Sequence, residues 1–235
     1  LAHARCHVHG RRGDHAAAAR EAGRIDTPYH RALAERLSHP EPGWRRVRLP
    51  VPFVVQAHRT CGPATLAALS AFAGLPVPQD GIVEAICYGG TAATAERDWC
   101  GQHGFVAREF RVTWEAAVRL IDASLPFAIE TRYVDSGHLQ PVVGYDSARR
   151  TLLLQEPGGI ETLEADADEL LGAQRLTGPR GLVFAPEGDR ERLLAVDLPD
   201  AALYDLRHEA EAAFRRFDRA AGEAALRALD AAAPD

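Results

Sequence analysis

Surplus positive charge is missing: 27 basic residues stand against 33 acidic ones, a net charge of −6 at pH 7. General binding to nucleic acid or to an anionic membrane needs the opposite balance, so neither is an expected partner. Cysteine is scarce, at four residues, and no two of them form a C-x-x-C pair. Zinc-ribbon spacing is thereby excluded, and a chain this long hides roughly 70–75% of its unfolded surface without disulfide help. Long apolar runs are missing too. The longest stretch without a formal charge, Cys61 to Gln79, is broken by Pro63, Gly74, Pro76 and Pro78, which makes a helix and a turn, not a membrane span. No signal-peptide pattern opens the chain, which starts at Leu1. It is expected to be a segment of a longer protein, with a cytoplasmic location favoured.

What remains is 46% hydrophobic and 26% charged, the composition of an ordinary globular protein. Three blocks are expected. Residues 1–43 are helical and end in a linker rich in proline and glycine; Thr27 before Pro28 reads as a helix start. Residues 44–190 change texture, with strand-like runs at 52–55, 105–107, 127–129, 141–143 and 152–154 among helical segments at 61–73, 91–103, 114–123 and 166–171. The later strands follow one another too closely for crossover helices, so an antiparallel sheet is expected. From 191 to 235 the chain turns helical again, with Leu203, Leu206, Ala210, Ala213, Phe214 and Phe217 on one stripe and a break at Gly222. The pattern from Gly222 to Pro234 resembles the second half of a tetratricopeptide repeat, and the Ala-rich start resembles one less clearly; an ordinary helical hairpin fits equally well.

Chemistry concentrates in three peptides. Cys61-Gly62-Pro63 opens a helix, where unpaired N–H groups and the helix dipole favour a thiolate. His138 opens an apolar strand and is the candidate base. Glu156, ending the next strand before Pro157, is placed to accept the other ring N–H, and Gln56 to donate to an oxyanion beside the Cys61 N–H. Each peptide alone has a plain packing explanation: a buried small thiol, a histidine satisfied at a strand edge. Together they ask for more.

Gln56, Cys61-Gly62-Pro63-Ala64, Gly137-His138, Val142-Val143-Gly144-Tyr145-Asp146 and Glu156-Pro157 resemble the C39 branch of the papain-like cysteine peptidases. The resemblance covers about residues 49–185. It implies a papain-like α+β fold with an N-terminal catalytic helix and an antiparallel sheet, flanked here by α-helical hairpins. It also implies peptide-bond cleavage through a thioester on Cys61, with His138 as general base, Glu156 as orienting group and Gln56 at the oxyanion. No cofactor or metal is implied. The partner would be a peptide or protein substrate, with a second protein partner on the helical repeats. Glu156 stands where the family usually has aspartate, and Gln56 lies five residues before Cys61, one fewer than in many relatives. Two other classes use the same residues: a silent peptide-binding module, and a thiol acyltransferase that passes the acyl group to an amine.

Other features read more simply. His3, Cys6, His7, His9 and His15 crowd the start without a convergent ligand pattern. Trp44 to Arg48 fits alternation on a strand edge. Trp99, Cys100 and His103 read as core and rim, and His58 as an exposed loop residue.

Overall fold

The computed structural model describes residues 1–39, 42–132 and 136–233. Pro40 and Glu41 of the expected linker, and Pro234 and Asp235 at the end of the repeat-like pattern, lie outside the described residues.

Three helices come first: α1 (Ala2–Arg11), α2 (His15–Ala22) and α3 (Pro28–Ser38). Asp14 caps α2 by accepting from the Ala17 N–H at 3.0 Å, and Thr27 caps α3 by accepting from the His30 N–H at 3.2 Å, with Pro28 at the first position as expected. Ala18, Ala19 and Ala22 then pack with Cys6, Leu33 and Leu37 into a small core that also takes Ala148.

Strand β1 (Arg46–Arg48) follows, an edge strand whose arginines are neutralised by neighbours: Arg46 by Asp146 at 3.1 Å and Glu164 at 2.7 Å, Arg48 by Glu161 at 3.0 Å. The strand expected at Pro52–Val55 does not form. Pro50 and Pro52 have no N–H to give a ladder, and the segment stays outside the sheet. Side-chain and loop bonds hold it: Gln155 Nε2 donates to the Val51 carbonyl at 2.9 Å, and the Gln56 N–H to that of Pro157 at 2.9 Å.

Helices α4 (Cys61–Phe72), α5 (Gln79–Ile86) and α6 (Ala93–Gln102) lead to β2 (Phe105–Arg111), α7 (Trp114–Asp122), β3 (Phe127–Arg132), β4 (Gly137–Asp146), β5 (Thr151–Glu156) and β6 (Ile160–Asp166). Then come α8 (Ala167–Ala173), β7 (Arg180–Pro186), α9 (Arg190–Leu194), α10 (Ala201–Arg215) and α11 (Arg219–Ala232). The strands make one sheet in the order β2-β7-β3-β4-β5-β6, with β1 added on β4. Every pair is antiparallel, as the short connections require.

Both faces of the sheet are covered, which is why its central strands are continuous apolar runs. Phe127, Ile129, Val142, Leu152, Leu154 and Val183 point to the side of α7, with Ala117, Leu120 and Ile121. Ala128, Val143, Leu153, Leu182 and Phe184 point the other way, onto Leu66, Ala67 and Leu69 of α4. The period-2 alternation thus divides one strand between two cores. Helix α4 is buried from Gly62 to Ser70, wedged between the sheet and α5 and α6.

Gly144 sits where β1 crosses β4. A Cβ there would overlap the Val47 carbonyl oxygen and stand 3.0 Å from Arg48 Cα, both backbone atoms that cannot step aside. Gly144→Ala is therefore expected to displace β1 and cost about 1–3 kcal/mol, read as a lower urea midpoint at unchanged m-value.

The C-terminal pair breaks one turn earlier than the Gly222 expectation. Phe217, at φ 61°, ends the link from α10, and Asp218 caps α11 by accepting from the Ala221 N–H at 3.0 Å. Gly222 lies inside α11 because the Phe214 ring occupies the space a side chain would need. Of the expected stripe, Ala210 and Ala213 are buried, Leu203 and Leu206 half-buried, and Phe214 and Phe217 exposed. Among the described residues no helix is long and apolar enough to cross a membrane.

Candidate active site

Cys61 is the first residue of α4, so its sulfur meets the N–H groups that a helix leaves unpaired. The following glycine is tightly packed: a Cβ on Gly62 would lie 3.0 Å from Thr91 Oγ1 and 3.3 Å from Glu96 Oε1. One turn further, the buried Thr65 hydroxyl donates to the Leu139 carbonyl at 3.0 Å, tying the cysteine helix to the strand that carries the histidine.

His138 enters on β4 and Glu156 ends the adjoining β5. The His138 Nε2 lies 2.9 and 2.8 Å from the two Glu156 oxygens, so this ring nitrogen is committed to the carboxylate. Glu156 is itself held, by Gln140 Nε2 and by the Gly158 N–H at 2.8 Å. Gln140 stands two residues from His138 on the same face of β4, so the period of the strand alone places the pair together. The chain has no asparagine, and the carboxylate is what it offers as the histidine's partner.

Electrostatics follow from this geometry. Burial pushes the Cys61 thiol up, but the His138 hydrogen bond, the Leu139 N–H, the imidazole charge and the Gly62 N–H together hold it below its ordinary value. His138 is raised, first by its bond to Cys61 and then, against burial, by the bond and charge of Glu156. Burial would raise Glu156, yet the Gly158 N–H, His138 and Gln140 bring it below the usual carboxylate range. All three shifts favour thiolate, imidazolium and carboxylate in a row.

Gln56, Cys61 and His138 line one cleft of about 600 Å³, walled by the loop Gly89–Thr94, by Glu130 and Arg132 of β3, and by Arg207 and Glu211 of α10. Glu156 stands behind His138. The Gln56 Oε1 is shielded from solvent and has no hydrogen-bond partner among the described residues, so this amide is not engaged by the fold on that side. The sequence reading missed Thr65, Gln140 and the Gly158 N–H, and it gave no hint of the α10 wall, which reaches the cleft from far along the chain.

The remaining candidates are placed elsewhere. His58 is exposed, whereas Trp99 and Cys100 are core residues and His103 stacks on Trp99 at 4.4 Å. Of the N-terminal group, His3 Nδ1 meets His30 Nε2 at 3.0 Å, His7 faces Glu164 at 3.6 Å, His15 packs on Trp44 and Cys6 is buried. Among the described residues no three His, Cys, Asp or Glu side chains converge to hold a metal ion.

Residues 48–169 match the protein family described as Peptidase_C39 like family. No curated protein matches the chain. Among solved structures it is similar to the peptidase domain of Streptococcus ComA, a bi-functional ABC transporter involved in a quorum-sensing pathway, at 19% identity and a TM-score of 0.48 over 57% of this chain and 96% of that one. It is also similar to a double glycine motif protease from an AMS/PCAT transporter, solved with its leader peptide, at 20% identity and a TM-score of 0.46 over 60% and 97%.

Proposed function

Because the chain belongs to the Peptidase_C39 like family, whose match spans more than half of its length, we propose that it is an active thiol peptidase. The observation that carries this is the His138–Glu156 pair, bonded at 2.8 Å, with His138 and the helix-opening Cys61 lining one cleft.

Each group has a role that its surroundings support. The Cys61 thiolate attacks a peptide carbonyl, and the oxygen that gains charge is met by the Cys61 N–H and the Gln56 amide. His138 gives its proton to the departing amine as the thioester forms. It then takes a proton from water, which attacks the thioester and releases the acid, returning Cys61. Glu156 fixes the imidazole ring and its tautomer and supports the imidazolium. The peptide-bond substrate class comes from the family. Residues 44–190 form the catalytic unit in this proposal, with helical segments 1–43 and 191–235 beside it, the latter supplying a wall of the cleft and both offering surface to a protein partner.

The test is cleavage of a synthetic peptide library with products identified by mass. Peptides cut by the wild type and untouched by Cys61→Ala support the proposal; no cut peptide from a Cys61 that still alkylates selectively overturns it in favour of a binding module. Hydroxylamine in the same reaction traps the thioester as a hydroxamic acid, so this product, absent with Cys61→Ala, reports the acyl-enzyme.

Glu156→Ala is expected to lower kcat by about 10–100-fold with KM nearly unchanged, a share of the 10²–10⁴ that a positioned acid–base group supplies. The pH profile gives the sign. Thiolate formation sets the acid limb and loss of the imidazolium proton the alkaline limb. Glu156 raises His138, so its removal moves the alkaline limb to lower pH. A profile and rate equal to wild type would leave the orienting role to Gln140 or to backbone.

A further inference from the structure

Every one of the 27 basic residues is an arginine, and three of them face the catalytic cleft: Arg59, Arg132 and Arg207. The charges around them are unevenly spent. Glu96 and Glu130, the inner carboxylates of the cleft, share the buried Arg180, at 2.8 and 3.3 Å, with Glu109, and Glu130 also takes the Nε of Arg132. Arg132 gives only its Nε to Glu130, at 2.8 Å, and its terminal nitrogens have no partner among the described residues. Arg207 is anchored through one Nη to the buried Glu109 at 3.3 Å, while its Nε is shielded from solvent and without a hydrogen bond. Arg59 is exposed and forms no ion pair among the described residues. It also sits at φ 58°, a conformation that a residue with a side chain adopts only when its surroundings impose it. Three arginines and three glutamates line the cleft, but the exposed carboxylate among them is Glu211 alone, 3.6 Å from Arg207 Nε, while Glu96 is buried and Glu130 nearly so.

We propose that the cleft selects peptides carrying aspartate or glutamate side chains beside the scissile bond, with Arg59, Arg132 and Arg207 as the residues that read them. This rests on the peptidase reading above. A guanidinium offers planar paired donors that match a carboxylate, and three around one cleft concentrate field in a space with low-dielectric walls. The chain as a whole carries a net charge of −6, so the three guanidinium groups of the cleft stand against the sign of the molecule. Arg207 belongs to α10, outside the residues 48–169 that match the family.

The experiment compares three N-acetylated tripeptide chloromethyl ketones that differ only in charge: Asp-Glu-Ala, Gln-Gln-Ala and Lys-Lys-Ala. None has a free terminal carboxylate, so side chains are the only anions. The readout is the second-order rate of Cys61 modification, mapped by mass. The acidic probe is expected to react at least about tenfold faster than the neutral one at low salt, with the basic probe slowest, and the order is expected to collapse near about 0.5 M salt. Arg59→Gln with Arg132→Gln should remove most of the preference. This pair leaves the Arg207–Glu109 contact in place, so it tests the idea even where Arg207→Gln unfolds the chain. Iodoacetamide, which carries no charge, serves as control. Equal rates for the three probes, or a preference that survives the double substitution, overturn the acidic-substrate proposal while Cys61 still alkylates. Loss of selective Cys61 alkylation by iodoacetamide itself overturns the peptidase reading on which it rests.

Discussion

Iodoacetamide at pH 6 is expected to modify Cys61 first, Cys87 well behind it, and Cys6 and Cys100 hardly at all. The order follows from what surrounds each sulfur. Cys61 lies at a helix start against His138 and two N–H groups, which bring its thiol down. Cys100 is fully buried, and desolvation raises it well above the ordinary thiol; Cys6 is buried and raised for the same reason. Both the access and the charge needed for reaction are missing at those two. His138→Ala should slow Cys61 by roughly tenfold, because thiolate is lost while the remaining thiolate becomes somewhat more nucleophilic, so the two effects partly offset. What stays is the helix dipole, about 0.3–1 kcal/mol. Mass-mapped rates between pH 5 and 9 check this. A Cys61 no faster than Cys87, and indifferent to His138, would remove the ion pair from the mechanism.

Arg180→Met is expected to be the most destabilising single change, at about 3–5 kcal/mol near neutral pH. Arg180 is buried with Glu96, Glu109 and Glu130 around it, and the apolar replacement leaves the buried Glu96 with no cation among the described residues and takes one from Glu109 and Glu130, which keep Arg97, Arg207 and Arg132. Even in the intact protein, burial pushes Glu96 up to about 7 against the pull of Arg180. A carboxyl whose folded value is raised contributes its stability below its unfolded value, near 4.5, and loses it as pH rises through the folded one. Without Arg180 that rise is larger, so the deficit of the variant should shrink as pH falls from 7 toward 5. Urea midpoints of variant and wild type, compared at each pH, isolate this from Glu164 and Glu156, whose lowered values act in the opposite direction. A deficit that does not change with pH would mean that the lost packing of the arginine stem, not the stranded charge, sets the cost.

Cys61, His138 and Glu156 were legible because each sits at the end of an element whose pattern is local: a Cys-Gly-Pro helix start, and two apolar strands that begin with histidine or end with an acid. The main strands of the sheet were legible for the same reason. Strand β6 was not, since Ile160–Asp166 is polar and only half-covered, and it is a strand because β5 offers it an edge. Strand β7 was missed although it carries Leu182, Val183, Phe184 and Ala185; it arrives after α8 and inserts between β2 and β3, which sequence order does not suggest. Pro52–Val55 erred the other way, because β-branched residues suit a strand but the two prolines deny it a ladder.

The sequence by itself picked out Cys61, His138 and Glu156, the α+β class and the antiparallel sheet, because hydrophobic period, caps and short connections act over a few residues. Tertiary structure alone decided what encloses that chemistry. Thr65 meets Leu139, Arg180 meets Glu96, and α10 meets the cleft across 74, 84 and more than a hundred residues of chain. Such contacts leave no periodic mark: an arginine or glutamate is equally acceptable on any exposed face, and only the closing of the two cores around one sheet makes it a partner, a wall or a buried charge.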